Sequence, residues 1–260
     1  MADPDEGVAA DGTIRTGARR DRVPAMFEPV ITDAVAFLSE SASSLYVYGS
    51  VANGTARPGS SDVDLLSIAL PEAAILGQRL SARYADRCRG VEVAAATATD
   101  IAGATDDAYG YRVFLRHYCV HLAGPDPSTA LPAFPADVRA ARGFNGDIGR
   151  HFQRWRQQLA SGAVAADLLG VRVARKTLLA VAGLVSVHDR TWTTDRSRAM
   201  RRWGELEPGL AAQLGQLHSW VTGQRRPARA EVGRVLADDG IIPGIVERFD
   251  SVIGLWAQES

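Results

Sequence analysis

One short stretch constrains the fold of this chain more than any other. The apolar run Leu45–Tyr48 ends in Gly49-Ser50, and after eleven intervening residues Asp62-Val63-Asp64-Leu65 begins an alternation of acidic and apolar side chains. Because every second side chain of a strand points to the same face, Asp62 and Asp64 place two carboxylates side by side. Neighbouring like charges are unfavourable unless a cation lies between them. The pattern therefore predicts two strands with a cation site at the second.

The chemistry of these residues indicates which cation and which ligand would bind. Carboxylate oxygens suit Mg²⁺, which proteins usually hold through one or two acids together with water and substrate phosphates. The Gly49-Ser50 turn brings backbone N–H groups and a hydroxyl close to a phosphate, because glycine has no Cβ to hinder the approach. Ser61, just before the first acid, is a second candidate phosphate ligand. For either serine a role in a turn or a cap is the alternative, and the phosphate role is favoured more for Ser50 than for Ser61.

This pattern resembles the signature of the polymerase-β-type nucleotidyltransferase superfamily: an apolar-Gly-Ser run, a spacer of about a dozen residues, then Asp-apolar-Asp-apolar. The resemblance implies that Asp62 and Asp64 bind two Mg²⁺ ions and that a third acid on a neighbouring strand completes the site. Glu92, within Gly90-Val91-Glu92-Val93-Ala94, is the candidate. Its role is open between metal ligand, base for the acceptor hydroxyl, or both, and a surface acid is the plain alternative.

Hydrophobic periodicity predicts an α+β chain in two parts. Residues 25–135 form a nucleotidyltransferase α/β domain with a small mixed sheet, and residues 136–260 form an all-α helical bundle. Residues 1–24 are expected to be a disordered lead-in. In the first part we predict helices at 25–39, 72–88 and from 111, and strands at 45–48, 62–69, 91–95 and 120–122. In the second part we predict helices at 136–160, 164–188, 195–204, 208–223, 228–239 and 243–257.

The chain also resembles the streptomycin/spectinomycin type of aminoglycoside adenylyltransferases. The shared features are total length, the segment 121–126 (His-Leu-Ala-Gly-Pro-Asp) and a helical second half containing 174–179 (Ala-Arg-Lys-Thr-Leu-Leu). The resemblance implies AMP transfer from Mg-ATP to an aminoglycoside hydroxyl, hence antibiotic resistance, with the active site in the cleft between the domains. It also implies that basic residues of the helical domain reach the triphosphate. Arg175, Lys176 and Arg196 are the candidates, with solvated helix faces or ion pairs between helices as the alternative.

Composition excludes several other classes of function. The charges of the 29 basic and 30 acidic residues nearly cancel, so binding of nucleic acid through a large positively charged surface is not indicated. The two cysteines, Cys88 and Cys119, lack metal-site or disulfide spacing and are expected to be free thiols in a cytoplasmic protein. The longest apolar run, 178–187, is too short to cross a bilayer and is expected to form a buried helix.

Two alternative functions stay open from the sequence. One is a nucleotidyltransferase that modifies tRNA or protein, of the toxin–antitoxin kind. The other is a module that binds a nucleotide without turnover. An aminoglycoside is polycationic, so its pocket should be acidic, and four acids lie in suitable loops: Asp100, Asp106, Asp107 and Asp126. Trp192, which lies between two predicted helices, is a further candidate for lining a substrate pocket.

Overall fold

A computed structural model describes residues 3–38 and 43–257. The chain forms two compact units, Met1–Pro135 and Ala136–Ser260. The first is a mixed α/β unit and the second is entirely helical, which confirms the predicted fold class. The predicted end of the first helix at Ser39 lies outside the described residues.

The first unit contains all the strands of the described residues. In chain order the strands are β1 (Gly7–Val8), β2 (Ile14–Arg15), β3 (Ser44–Tyr48), β4 (Val63–Ile68), β5 (Val91–Ala96) and β6 (Val120–Ala123). The helices are α1 (Glu28–Phe37), α2 (Gly49–Ala52), α3 (Ala73–Arg83), α4 (Ala98–Ala102) and α5 (Asp106–Tyr118). The last four strands form one mixed sheet in the order β5-β4-β3-β6, in which only β4 and β5 run parallel.

Helices cover both faces of this sheet, and alternation along the strands decides which residues each face receives. On one face the β3 and β4 residues Leu45, Val47, Val63 and Leu65 pack in a core with α1 and α3. On the other face a smaller core joins strand residues to α4 and α5; its buried members are Tyr46, Leu66, Ile68, Ala96, Ile101 and Leu115. Asp64 belongs to this second face, at the end of the sheet where the apolar core stops.

The expectation of a disordered lead-in over residues 1–24 was wrong for the part from Asp3 onward. β1 pairs with β2, and the Ile14 backbone N–H donates to the Phe134 carbonyl at 2.9 Å. The Tyr118 hydroxyl donates to Glu6 at 2.7 Å, and Ile14 is buried. The Arg19 backbone N–H donates to the Ala52 carbonyl of α2 at 3.1 Å. Long-range contacts to α2, α5 and Phe134 order this polar segment, and local sequence patterns do not reveal such contacts.

Within its described residues the second unit consists of seven α-helices and a short 3-10 helix, Pro208–Leu210. The α-helices are α6 (Val138–Asn145), α7 (Ile148–Ser161), α8 (Ala166–Asp189), α9 (Arg196–Leu206), α10 (Ala211–Val221), α11 (Arg229–Leu236) and α12 (Ile241–Val252). Helix α8 contributes most to the core and contains the apolar run that was predicted to be buried. None of the described helices combines the length and apolarity that a membrane span requires.

The single helix predicted over 136–160 is instead two helices, and Trp256 packs at the break. Its indole N–H donates to the Arg142 carbonyl at 2.7 Å, and its backbone N–H donates to the Gly146 carbonyl at 3.0 Å. A Cβ at Gly146 would lie 2.2 Å from the indole ring. Trp256, more than a hundred positions away, therefore packs at the end of α6 and gives the Arg142 carbonyl a second donor, beside the Gly146 N–H at 2.7 Å.

Burial of His117 makes the stability of the first unit depend on pH. The His117 Nε2 accepts a hydrogen bond from the Phe134 backbone N–H at 2.9 Å. Burial, together with the Arg116 charge, lowers the pKa of His117 to about 4. The folded unit therefore holds fewer protons than the unfolded chain between pH 4 and about 6.5, and stability falls as pH decreases through this range.

We expect this contribution to be complete above about pH 6.5 and to amount to roughly 1–2 kcal/mol, because His117 is only partly shielded from solvent. Urea unfolding followed by the near-UV circular dichroism of tyrosine is a suitable measurement, since all six tyrosines lie in this unit. His117→Gln keeps an acceptor for Phe134 and does not titrate, so its stability should change less between pH 4.5 and 7. An equal pH dependence in wild type and variant would contradict the assignment to His117.

Candidate active site

Three polar side chains form a row across the sheet. Tyr48 on β3 pairs with Asp64 on β4, and Asp64 pairs with Glu92 on β5. Directly paired residues of neighbouring strands project from the same face, so the two carboxylates are adjacent. Asp62 lies two residues before Asp64, immediately ahead of β4, and its charge raises the pKa of Asp64. The sheet register therefore pairs two of the three acids that the sequence singled out, Asp64 and Glu92.

The electrostatics of Asp64 show how closely these acids interact. Burial raises the pKa of Asp64, and the negative charges of Asp62 and Glu92 raise it further, to about 6, against an opposing effect from Arg89. Each additional negative charge nearby disfavours ionisation. Glu92, in contrast, is exposed to solvent. The centre of the site is therefore a half-buried carboxylate beside two others, which is a position where a cation would be stabilised.

Gly49 allows this arrangement through a very close approach of the backbone. Its φ is +69°, in the left-handed region, and a Cβ built there would lie 2.6 Å from the Asp64 Oδ2. Both the backbone conformation and the contact exclude other residues without local rearrangement. The glycine therefore brings the turn after β3 directly against the carboxylate on β4.

The two candidate serines have different surroundings. Ser50 lies in α2, where its carbonyl accepts hydrogen bonds from the Thr55 and Ala56 N–H groups at 2.9 Å each. Its hydroxyl has no hydrogen-bond partner among the described residues. The Ser61 hydroxyl accepts a bond from the Arg57 N–H at 2.8 Å and so closes the loop before β4. Ser61 thus has a structural role, whereas Ser50 keeps a hydroxyl available for a ligand.

Asp62 forms an ion pair with Arg89. The Arg89 Nε donates to Asp62 Oδ1 at 2.9 Å, and a second guanidinium nitrogen donates to Asp62 Oδ2. Both carboxylate oxygens of Asp62 are engaged in this bidentate pair. Arg89 was not identified from the sequence. The signal that could have identified it is its position three residues before Glu92 on β5.

The donor set suits Mg²⁺, although the side chains are not arranged as a finished coordination sphere. In the described residues 3–38 and 43–257 no three His, Cys, Asp or Glu side chains are grouped so as to hold a metal ion. Both Asp62 oxygens instead bind the Arg89 guanidinium. The chemistry of the oxygens and the repulsion around Asp64 fit a hard divalent cation. Binding by all three acids requires Asp62 to leave Arg89.

Aromatic rings lie beside Asp64 and Glu92, the two acids of this row. The rings of Tyr48 and Phe114 meet edge to face with centroids 5.0 Å apart. Burial raises the pKa of the Tyr48 hydroxyl, and the Asp64 charge raises it further. Burial also raises the pKa of Tyr111, with a smaller effect from Asp107 and Asp100. The face that carries the acids therefore combines rings with negative charge.

The match with a known domain agrees with this geometry. Residues 30–101 match the family model described as a nucleotidyltransferase domain. The first unit contains a nucleotidyltransferase domain. The matched segment includes β3, β4 and β5, with Asp62, Asp64 and Glu92, and it supports the polymerase-β-type superfamily. No match was found among curated proteins.

The acids proposed to line a substrate pocket have separate local roles in the nucleotidyltransferase domain. Asp126 accepts hydrogen bonds from the Tyr46 hydroxyl at 2.9 Å and from the Ser128 hydroxyl at 2.6 Å. Asp100 accepts from the Thr97 N–H at 2.7 Å and completes a capping box. Asp106 and Asp107 lie in the first turn of α5, where the helix dipole favours negative charge. Each of these four carboxylates therefore stabilises the local structure around it.

The basic candidates of the helical unit also differ from one another. The Lys176 Nζ lies 2.5 Å from Asp147 Oδ1 and donates to the Phe144 carbonyl at 3.1 Å. The Arg196 Nε donates to the Arg175 carbonyl at 3.2 Å. Burial and the Arg175 charge lower the pKa of Arg196. Neither arginine has a carboxylate partner among the described residues, whereas Lys176 forms the ion pair that the alternative interpretation anticipated.

Trp192 is a core residue of the helical unit. It is buried, and its ring meets that of Phe144 edge to face with centroids 5.8 Å apart. It borders a cavity of about 70 Å³, too small for an aminoglycoside. A role in lining a substrate pocket is therefore not supported by its position.

Replacement of Gly49 tests the close approach to Asp64. We expect Gly49→Ala to lose divalent-cation binding, because its Cβ would displace the Asp64 carboxylate or the turn. Gly59→Ala is the matched control, since Gly59 has φ +67° and nothing within 4 Å of the added Cβ. Both variants should lose about 1–2 kcal/mol of stability from backbone strain. Calorimetric titration with Mn²⁺ should separate them, and equal cation affinity in the two variants would show that the contact is unimportant.

Proposed function

We propose that the protein transfers AMP from Mg-ATP to a hydroxyl of a small cationic acceptor and releases pyrophosphate. An aminoglycoside is the acceptor that we favour. The observation that carries this proposal is the position of Asp64, which lies between Asp62 and Glu92 and directly against the backbone of Gly49. Such a centre suits a metal-bound polyphosphate better than a binding-only module, which has no need of a third acid. The domain match supports nucleotidyl transfer in general, and ATP, Mg²⁺ and the acceptor are parts of the proposal.

The reaction requires an acceptor oxygen to form a bond with the α-phosphorus while the bond to the bridging β-phosphate oxygen breaks. Asp62 and Asp64, with Glu92, would hold Mg²⁺, which when bound stabilises negative charge on the triphosphate and on the leaving pyrophosphate. Glu92 would accept the proton of the attacking hydroxyl at a carboxylate oxygen. Its exposure suits this role, because a solvated carboxylate can pass the proton on to water. Asp64, half-buried and central, is better suited to holding the ion.

Phosphate binding is assigned to the turn after β3. The Ser50 hydroxyl and the backbone N–H groups of the turn would donate to triphosphate oxygens. Arg175 and Arg196 are retained as candidate anion ligands of the helical unit because burial and the Arg175 charge lower the pKa of Arg196, an effect that Asp195 opposes. An anion would relieve this repulsion. Lys176 is a weaker candidate, since Asp147 already neutralises its charge.

The proposed acceptor class rests on the acids and rings beside the site. Tyr48 and Tyr111 lie within the electrostatic influence of four acids: Asp64, Glu92, Asp100 and Asp107. A polyamine with hydroxyl groups satisfies both features, because cations bind acidic surfaces and the faces of aromatic rings. The near balance of charge across the chain gives no comparable support for a polyanionic acceptor such as tRNA.

Purified protein with Mg²⁺ and ATP should release pyrophosphate when streptomycin or spectinomycin is supplied, with a labelled AMP adduct of the antibiotic as the second product. Asp64→Asn should abolish turnover, and Glu92→Gln should reduce it by about 10²–10⁴-fold through loss of the base. Asp86→Asn removes one exposed acid of the same unit outside the site and serves as the charge-matched control.

The acceptor panel should include tRNA and a protein mixture incubated with labelled ATP. Label on nucleic acid or protein, with none on the antibiotics, would replace the acceptor assignment while leaving nucleotidyl transfer intact. Turnover that survives Asp64→Asn would overturn the metal centre itself. Nucleotide binding without any adduct on the panel would favour the non-catalytic module.

A further inference from the structure

Arg89 forms an ion pair with the first of the three acids, Asp62. Its guanidinium binds both oxygens of Asp62. Its backbone is fixed at the start of the sheet, because the Arg89 N–H donates to the Ser61 carbonyl at 3.0 Å and the Val63 N–H donates to the Gly90 carbonyl at 2.9 Å. The side chain therefore starts from a rigid position beside the metal ligand.

The influence of this guanidinium extends beyond its direct partner. The hydrogen bond to Asp62 raises the pKa of Arg89, and the charges of Glu92 and Asp64 raise it further. Arg89 is also the group that opposes the raised pKa of Asp64. One positive charge thus partly compensates three carboxylates, at the place where the proposed function requires a divalent ion.

We propose that Arg89 is an internal counter-ion that occupies Asp62 in the metal-free protein and leaves it when a divalent cation binds. This inference rests on the proposed function and concerns how its metal site is filled. The guanidinium and a metal ion compete for the same carboxylate oxygens, so the ion must displace Arg89 from at least one of them. The arginine therefore sets the affinity for the divalent ion and keeps the acids compatible with the fold in its absence.

Because the Arg89–Asp62 pair is exposed, replacing Arg89 by a divalent ion costs little free energy. The Arg89 side chain is 60% exposed and that of Asp62 is 20% exposed. An exposed ion pair contributes little net stability, because water solvates the released guanidinium well. If Arg89 occupies Asp62 in most molecules, it nevertheless lowers the apparent affinity of the site for the divalent ion. The affinity falls in proportion to the fraction of molecules in which Asp62 is free. The expected effect of Arg89 on cation affinity is therefore moderate and measurable.

The test is the affinity for Mn²⁺ alone, measured by calorimetry and by the loss of the free-ion electron paramagnetic resonance signal, without nucleotide or acceptor. Arg89→Ala should bind Mn²⁺ about fivefold more tightly than wild type, or better. Arg89→Lys keeps the charge but not the bidentate geometry, so it should be intermediate. Arg57→Ala removes a positive charge from the loop before β4 and should bind like wild type, because the exposed Arg57 guanidinium has no hydrogen-bond or ion-pair partner in the part of the chain that the structure describes.

Thermal unfolding supplies a second readout. Without metal, Arg89→Ala should melt at a lower temperature than wild type, because three acids lose their compensating charge. Saturating Mn²⁺ should raise its melting temperature by more than that of wild type. A smaller rise than in wild type would overturn the proposal.

The outcomes separate this inference from the proposed function. If wild type binds Mn²⁺ and Arg89→Ala binds equally or more weakly, Arg89 positions Asp62 for the ion instead of competing with it, and the counter-ion role is wrong while the metal site stands. If neither protein binds Mn²⁺, the metal centre of the proposed function is wrong, and the counter-ion role is lost with it.

Discussion

The pairing of Asp64 with Glu92 concentrates negative charge at one end of the sheet of the nucleotidyltransferase domain. The sheet register places Glu92 directly beside Asp64, and Asp62 lies immediately before β4. Backbone hydrogen bonds between the strands fix the positions of Asp64 and Glu92. The fold therefore maintains a local excess of negative charge, which Arg89 partly compensates.

The neighbouring features depend on this cluster. Gly49 supplies the left-handed turn and the absent Cβ that let the chain pass beside Asp64, and the N-terminal segment donates a hydrogen bond to the short helix that follows. Tyr48 pairs with Asp64, and its ring meets that of Phe114 edge to face. Burial and the close approach of the backbone both reduce the hydration of Asp64 and so strengthen its interaction with any cation.

Much of this site was readable from the sequence because it is encoded by local patterns. The alternation around Asp62 and Asp64 predicted a strand with two acids on one face, and the Gly49-Ser50 turn marked the preceding strand end. The valines around Glu92 predicted a third strand. Helix and strand locations followed from periodicity, with errors at boundaries and at the break after Asn145, where Trp256 packs from far along the chain.

Other features depend on contacts between distant residues. Arg89 was not identified as a site residue from the sequence, because only the parallel pairing of β4 and β5 brings the segment before β5 beside Asp62. The same holds for residues 3–24, whose polar composition suggested disorder although backbone and side-chain contacts order them. Lys176 looked available to a ligand until the structure showed Asp147 as its partner.

The sequence by itself determined the fold class and the chemical identity of the three acids, since strand and helix periodicity and residue type are local properties. The tertiary structure alone decided which acid is central, which cation faces Asp62 and which arginines lack a carboxylate partner. Those outcomes depend on distances between side chains that are far apart along the chain. Electrostatic energy varies with such distances and with burial, and neither quantity is encoded in the spacing of residues along the sequence.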